Sequence, residues 1–88
     1  MTELSNLQIF RNVIVETLDV APEQVTDELS ADNAAKWDSL AHLQIILALE
    51  GEYRVQLDLE RAPELTSVYL LKRELEDKGV SFGSSATL

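Results

Sequence analysis

Asp38, Ser39 and His42 stand close together in the chain and supply the three side-chain types of an acyl-transferring triad. Such chemistry needs a hydroxyl nucleophile, an imidazole base and a carboxylate that orients the base. The spacing argues against it. His42 lies three residues after Ser39, so Asp38 must orient it from the preceding turn with Ser39 in between. Triads draw on separate segments to reach that geometry. The chain has only three glycines and shows no glycine-rich oxyanion loop, so His42 reads as a partly exposed surface residue. The acid pairs Asp27/Glu28 and Glu50/Glu52 match no calcium-loop spacing and read as solvated faces. The absence of cysteine removes thiolate chemistry, disulfides and cysteine metal sites, and a single histidine removes a multi-histidine site.

Ser39 has two readings. In the ordinary one, Asp38 or Ser39 caps a helix and satisfies its orphan amides. Neither has Glu or Gln three residues on, so no capping box supports it. In the other, Ser39 is an attachment point. A hydroxyl where a loop meets a helix is reachable by another enzyme, and helix N-terminal amides favour a phosphate placed there. Trp37 reads as a loop anchor over the helix.

The elements that must position these residues follow from periodicity. Leu4, Leu7, Phe10 or Arg11, Ile14 and Leu18 recur at helical steps, with Val13 and Thr17 beside them. Thr2 is the expected N-cap, and the helix should end near Asp19–Val20, before Pro22. Residues 21–38 read as a long loop pinned by Val25 and Leu29, and a loop of this length suggests function. The second helix should run from Asp38-Ser39 to Glu52-Tyr53, with Gly51 weakening its last turn. It carries one apolar stripe of Leu43, Ile46, Leu49 and Tyr53, with Ile45 beside it. A second holds Leu40, Gln44 and Leu47. A bundle helix needs one buried stripe, so the second suggests a binding surface. Residues 54–65 read as a loop leading into a short helical turn, despite the alternation of Val55, Leu57 and Leu59. The last helix should span Ser67–Lys78, capped by Thr66, with Val68, Leu71 and Leu75 inward and Gly79 stopping it. Lys72, Arg73 and Lys78 then suit its dipole. The expected domain is 1–80, with a disordered tail at 81–88.

Eighty-eight residues, 45% of them hydrophobic, suffice for one small core. A net charge of −9 disfavours phosphate backbones and anionic headgroups, so neither nucleic acid nor membrane is an expected partner. No apolar run approaches the roughly 20 residues of a bilayer span. Met1-Thr2-Glu3-Leu4 lacks the cationic start of a signal peptide, which makes a cytoplasmic chain the expectation; a monomer is expected as well.

Asp38-Ser39-Leu40, followed by Leu43, Ile46, Leu49, Glu50 and Tyr53, resembles the signature of the acyl carrier protein family around its phosphopantetheine serine. The likeness continues through Leu57 into Leu65-Thr66-Ser67-Val68, and upstream Val20-Ala21-Pro22-Glu23-Gln24-Val25 is similar to the family's turn after its first helix. The resemblance implies an all-α, four-helix bundle with a long loop between helices 1 and 2 and a short third helix near Leu59–Ala62. It implies that Ser39, beside Asp38, receives 4′-phosphopantetheine from coenzyme A through a phosphopantetheinyl transferase. The arm's thiol then carries an acyl or aminoacyl group, so the chain is a carrier and not an enzyme. Leu40, Gln44, Leu47 and Glu50 would face partners. These are an acyl- or aminoacyl-loading enzyme and a downstream synthase, transferase or thioesterase. Leu43, Ile46, Leu49, Leu71 and Leu75 would line the interior, where an acyl chain can be sequestered.

The chain departs from fatty-acid-synthesis carriers in having Lys36 and Trp37 where those have Gly and Ala, and Ala41, Gln44 and Gly51 where those have acids. The Trp-Asp-Ser-Leu form is similar to free-standing carriers of specialised polyketide, aminoacyl or surface-polymer pathways. An aminoacyl carrier and an unmodified helical adaptor that docks through Leu40 and Leu47 stand as alternatives. The charge is uneven. Residues 1–38 hold eight acids and two bases, 39–66 five and two, and 67–88 three of each. Docking to the second helix should therefore be largely apolar, with charge steering the approach.

Overall fold

Local capping signals define where each helix begins and ends. The computed structural model describes residues 5–58 and 60–82, which hold three α-helices: α1 (Asn6–Leu18), α2 (Ser39–Tyr53) and α3 (Val68–Asp77). Helix α1 starts later than Thr2, which lies outside the described residues. Ser5 Oγ accepts the Gln8 N–H at 3.1 Å, and Gln8 Oε1 accepts the Ser5 N–H at 3.2 Å. This reciprocal pair satisfies two amides that the helix itself leaves open. Asp19 ends α1 in the left-handed region, at φ 54°, a conformation that Asp tolerates better than most residues. In α3, Ser67 and not Thr66 supplies the cap, its Oγ accepting from Leu70 N–H at 3.1 Å. Gly79, at φ 97°, closes that helix. The Gly79 N–H reaches the Glu76 carbonyl and the Val80 N–H reaches Leu75, both at 3.0 Å.

The segment between α1 and α2 is more ordered than a bare loop. It contains a 3-10 turn at Pro22–Gln24, where the Ala21 N–H donates to Gln24 Oε1 at 2.8 Å. Asn33 accepts the Ser30 N–H and donates to the Glu28 carbonyl, folding the chain back on itself. Val25 is buried and Leu29 packs against the core, as the sequence suggests. Ser30 forms one isolated antiparallel bridge with Ser67, and no strand occurs among the described residues.

The expected short helix between α2 and α3 is a single 3-10 turn, Ala62–Glu64; Leu59 lies outside the described residues. Pro63 lacks an N–H and so gives a longer helix nothing to bond through at that point. The stretch before it is irregular, with Leu57 buried, in agreement with a loop in place of a strand.

Helices α1 and α2 run in opposite senses, since the Tyr53 hydroxyl at the end of α2 donates to the Asn6 carbonyl at the start of α1, at 2.6 Å. Phe10, Ile14, Leu18, Ile45, Ile46, Leu49, Leu71 and Leu75 fill the space between the helices. The core extends past residue 80. Phe82 is buried and meets Phe10 and Tyr53 edge-on, and the Asn6 side-chain amide donates to the Ser81 carbonyl at 2.8 Å. The tail expected from Ser81 onward is thus ordered at its first two residues, while 83–88 lie outside the described residues. Lys72, expected to serve the α3 dipole, is buried instead. Its Nζ donates to Asp27 Oδ1 at 2.9 Å and ties α3 to the long loop. A buried cation requires such a partner.

Candidate functional site

Asp38 starts α2, and Ser39 is its first helical residue. Asp38 Oδ1 accepts the Ala41 N–H at 2.8 Å, so the cap is Asp38's role and Ser39 is not committed to it. Ser39 is exposed, as are Asp38, Leu40 and Gln44. Leu40 and Leu47 are 65% and 55% exposed on the outward face of α2, while Ala41, Ile45, Ile46 and Leu49 turn inward.

Two residues depart from their expected places. Leu43, assigned to the interior, is 50% exposed and lines a cleft beside Ser39. The reason is helix rotation: the buried stripe runs through Ala41, Ile45 and Leu49, with Ile46 beside it, which leaves Leu43 at its edge. Glu50, counted with the partner face, is only half-buried surface. Its Oε2 accepts the Leu57 N–H at 2.8 Å and anchors the chain as it leaves α2. Leu71 and Leu75 are core residues, as expected.

The cleft has a volume of about 610 Å³ and opens beside the Ser39 hydroxyl. Its walls include Trp37, His42, Leu43 and Ile46 on one side and Ala62 and Pro63 on the other. His42 is partly exposed, as expected, but both of its ring nitrogens are engaged. Its Nδ1 accepts the Trp37 indole N–H at 3.0 Å, and its Nε2 lies 2.7 Å from the Ala62 carbonyl oxygen. An indole nitrogen only donates and a carbonyl only accepts, which assigns the ring proton to Nε2. Both nitrogens are therefore engaged away from Ser39 and Asp38. With Asp38 bonded to Ala41, the Ser–His–Asp hydrolase reading fails on geometry. The Trp37–His42 bond had a sequence signal, since a buried indole needs an acceptor and His42 is five residues on. The Ala62 contact, across 20 residues, had none.

Among the described residues, no group of three or more His, Asp or Glu side chains gathers as a metal site would require. No described helix is long and apolar enough to cross a membrane. At the far end of α2, burial raises the Tyr53 hydroxyl well above its ordinary value, and neighbouring Glu52 adds to the effect. Tyr53 therefore stays protonated as a donor to Asn6.

The chain is 33% identical over 69 residues to an acyl carrier protein of Bdellovibrio bacteriovorus, covering 78% of this chain and 88% of that one. An acyl carrier protein of Caulobacter vibrioides is 29% identical over 62 residues, covering 70% of this chain and 80% of the relative. One from Phenylobacterium zucineum is 29% identical over 62 residues, covering 70% and 78%. No family profile matches the chain.

Proposed function

This chain belongs to the acyl carrier protein family and is a carrier rather than an enzyme, and on that footing we propose that Ser39 is its attachment point for 4′-phosphopantetheine. The observation that supports the reading is an exposed hydroxyl, free of the capping role, at the first residue of a 15-residue helix and at the mouth of an apolar cleft. The residues suit the group. Asp38 occupies the Ala41 amide, while the amides of Ser39 and Leu40 belong to the first turn, where helices leave N–H groups unpaired. A phosphate on Ser39 Oγ is favoured there by those donors and by the helix dipole. When bound, the group supplies a terminal thiol that holds cargo as a thioester. The chain's own residues present the hydroxyl to a phosphopantetheinyl transferase and offer the cleft to the cargo. The turn at Ala62–Glu64 takes the place of the short third helix of a carrier bundle.

Partners dock, in this reading, on Leu40, Gln44 and Leu47, which form an exposed face running from the attachment point along α2. The cargo is an acyl group of a fatty-acid, polyketide or other specialised pathway. Lys36-Trp37 ahead of Asp38, and the scarcity of acids on α2, favour the specialised case over housekeeping fatty-acid synthesis.

The test is intact mass after incubation with coenzyme A and a broad-specificity phosphopantetheinyl transferase. The expected result is a gain of one phosphopantetheine group, absent in Ser39→Ala. An unchanged mass would leave an unmodified helical adaptor as the better reading. Incubating the loaded-competent form with acyl- and with aminoacyl-transferring enzymes then separates the two cargo classes.

A further inference from the structure

Three separate pieces of chain wall the cleft beside Ser39: the loop before α2, α2 itself and the turn at Ala62–Glu64. Apolar packing alone leaves the spacing of such walls soft, because the hydrophobic effect is non-directional. Hydrogen bonds are directional, and here two of them run through one ring. His42 holds the Trp37 indole at 3.0 Å on one side and the Ala62 carbonyl at 2.7 Å on the other. The Trp37 and His42 rings lie nearly side by side, with centroids 6.1 Å apart and planes 27° apart, as the in-plane bond between them requires. Trp37 is buried and immovable without loss of core packing, so the bond to Ala62 fixes the turn relative to a rigid wall.

We propose that His42 is a specificity-determining residue for the cargo: through its bonds to Trp37 and Ala62 it holds the turn at a set distance across the cleft, so that the cleft selects acyl chains by length and bulk. The proposal rests on the reading of Ser39 as the attachment point. His42 acts as a positioning residue, bracing the wall that the cargo meets. Replacing His42 by Ala removes both bonds and frees the turn to move away from α2. Replacing Trp37 by Phe removes the indole donor while keeping an aromatic ring in the buried wall and the bond from His42 to Ala62, so its effect is partial.

Wild type, His42→Ala and Trp37→Phe are each loaded at Ser39 from butyryl- and from lauroyl-coenzyme A with a broad-specificity transferase, and every product is verified by intact mass. Thioester cleavage by hydroxylamine is then timed. A chain seated in the cleft shields its thioester, and an unseated chain leaves it open to attack. The readout is the ratio of lauroyl to butyryl cleavage rates within each variant, which a uniform loss of stability does not move. In wild type the lauroyl thioester should be cleaved faster. The ratio should fall about fivefold in His42→Ala, the scale of one neutral hydrogen bond, and less in Trp37→Phe. Equal ratios in all three chains overturn the proposal, and His42 then only braces the fold. Failure of transfer to wild-type Ser39 overturns the attachment reading and this proposal with it. Successful transfer with an unchanged ratio overturns this proposal alone. If circular dichroism shows that His42→Ala does not fold, Trp37→Phe decides the comparison.

Discussion

The two ends of α2 are built to opposite purposes. At its last turn, Tyr53 donates to the Asn6 carbonyl at 2.6 Å, and its ring meets Phe82 edge-on, which meets Phe10 in the same way. Tyr53 is thus partnered both by α1 and by the chain after α3. At its start, Ser39 and Leu43 are exposed beside an apolar cleft and Leu40 is exposed on the outward face. The same helix thus closes the fold at one end and leaves chemistry and apolar surface available at the other. The difference shows that an exposed leucine on a small acidic domain is informative when the opposite end of its helix demonstrates that the chain can cover such groups.

Substitutions at the two ends should separate stability from carriage. The largest effect is expected for Phe10→Ala, which removes a fully buried ring from the closed end. It should lower stability by about 3–5 kcal/mol in urea denaturation, a large part of what a domain of this size possesses. Modification of Ser39 in the fraction that remains folded should persist. Next, Asp38→Ala should cost about 1 kcal/mol through the lost cap to Ala41, and it should slow transfer to Ser39 as the helix start frays. Tyr53→Phe removes the bond to Asn6 while keeping the ring, and should lower stability by about 0.5–1.5 kcal/mol without altering transfer. The smallest change in stability is expected for Leu47→Ala, within about 0.5 kcal/mol, because the side chain is exposed. Its effect should appear in slower loading by partner enzymes. A Leu47→Ala chain with a large stability loss and unaltered loading would erase the contrast between the two ends.

Much of the local structure was legible from residues close in sequence. The apolar run after Asp38 located α2 at both ends, and the Val68, Leu71 and Leu75 stripe located the inward face of α3. The Ser5–Gln8 capping box was equally legible but yielded to the earlier Thr2 as the expected cap. A short helical turn at the end of residues 54–65 was legible and stands at Ala62–Glu64, whereas the short helix that the family resemblance implied near Leu59–Ala62 is only this single 3-10 turn, placed slightly later. The positions of Leu43 and Glu50 were not legible. Whether a residue at the edge of a stripe is covered depends on which neighbours pack there, and Glu50 finds its partner in the Leu57 amide only after the chain has turned.

The sequence by itself determined the acidic, cysteine-free composition, the approximate extents of the helices, and a serine placed at the start of an apolar helix. These follow from charge, propensity and contacts within a few residues. Only the tertiary structure decided that Asp38 takes the cap and leaves Ser39 uncommitted, that Phe82 belongs to the core, that Lys72 is buried against Asp27, and that His42 bridges Trp37 and Ala62 across the cleft. Most of those outcomes require groups far apart in the chain to meet. The Asp38 outcome turns on which of two adjacent candidates adopts the geometry that aims its oxygen at an open amide. In each case the deciding quantity is the direction of a side chain in three dimensions, which spacing along the chain does not contain.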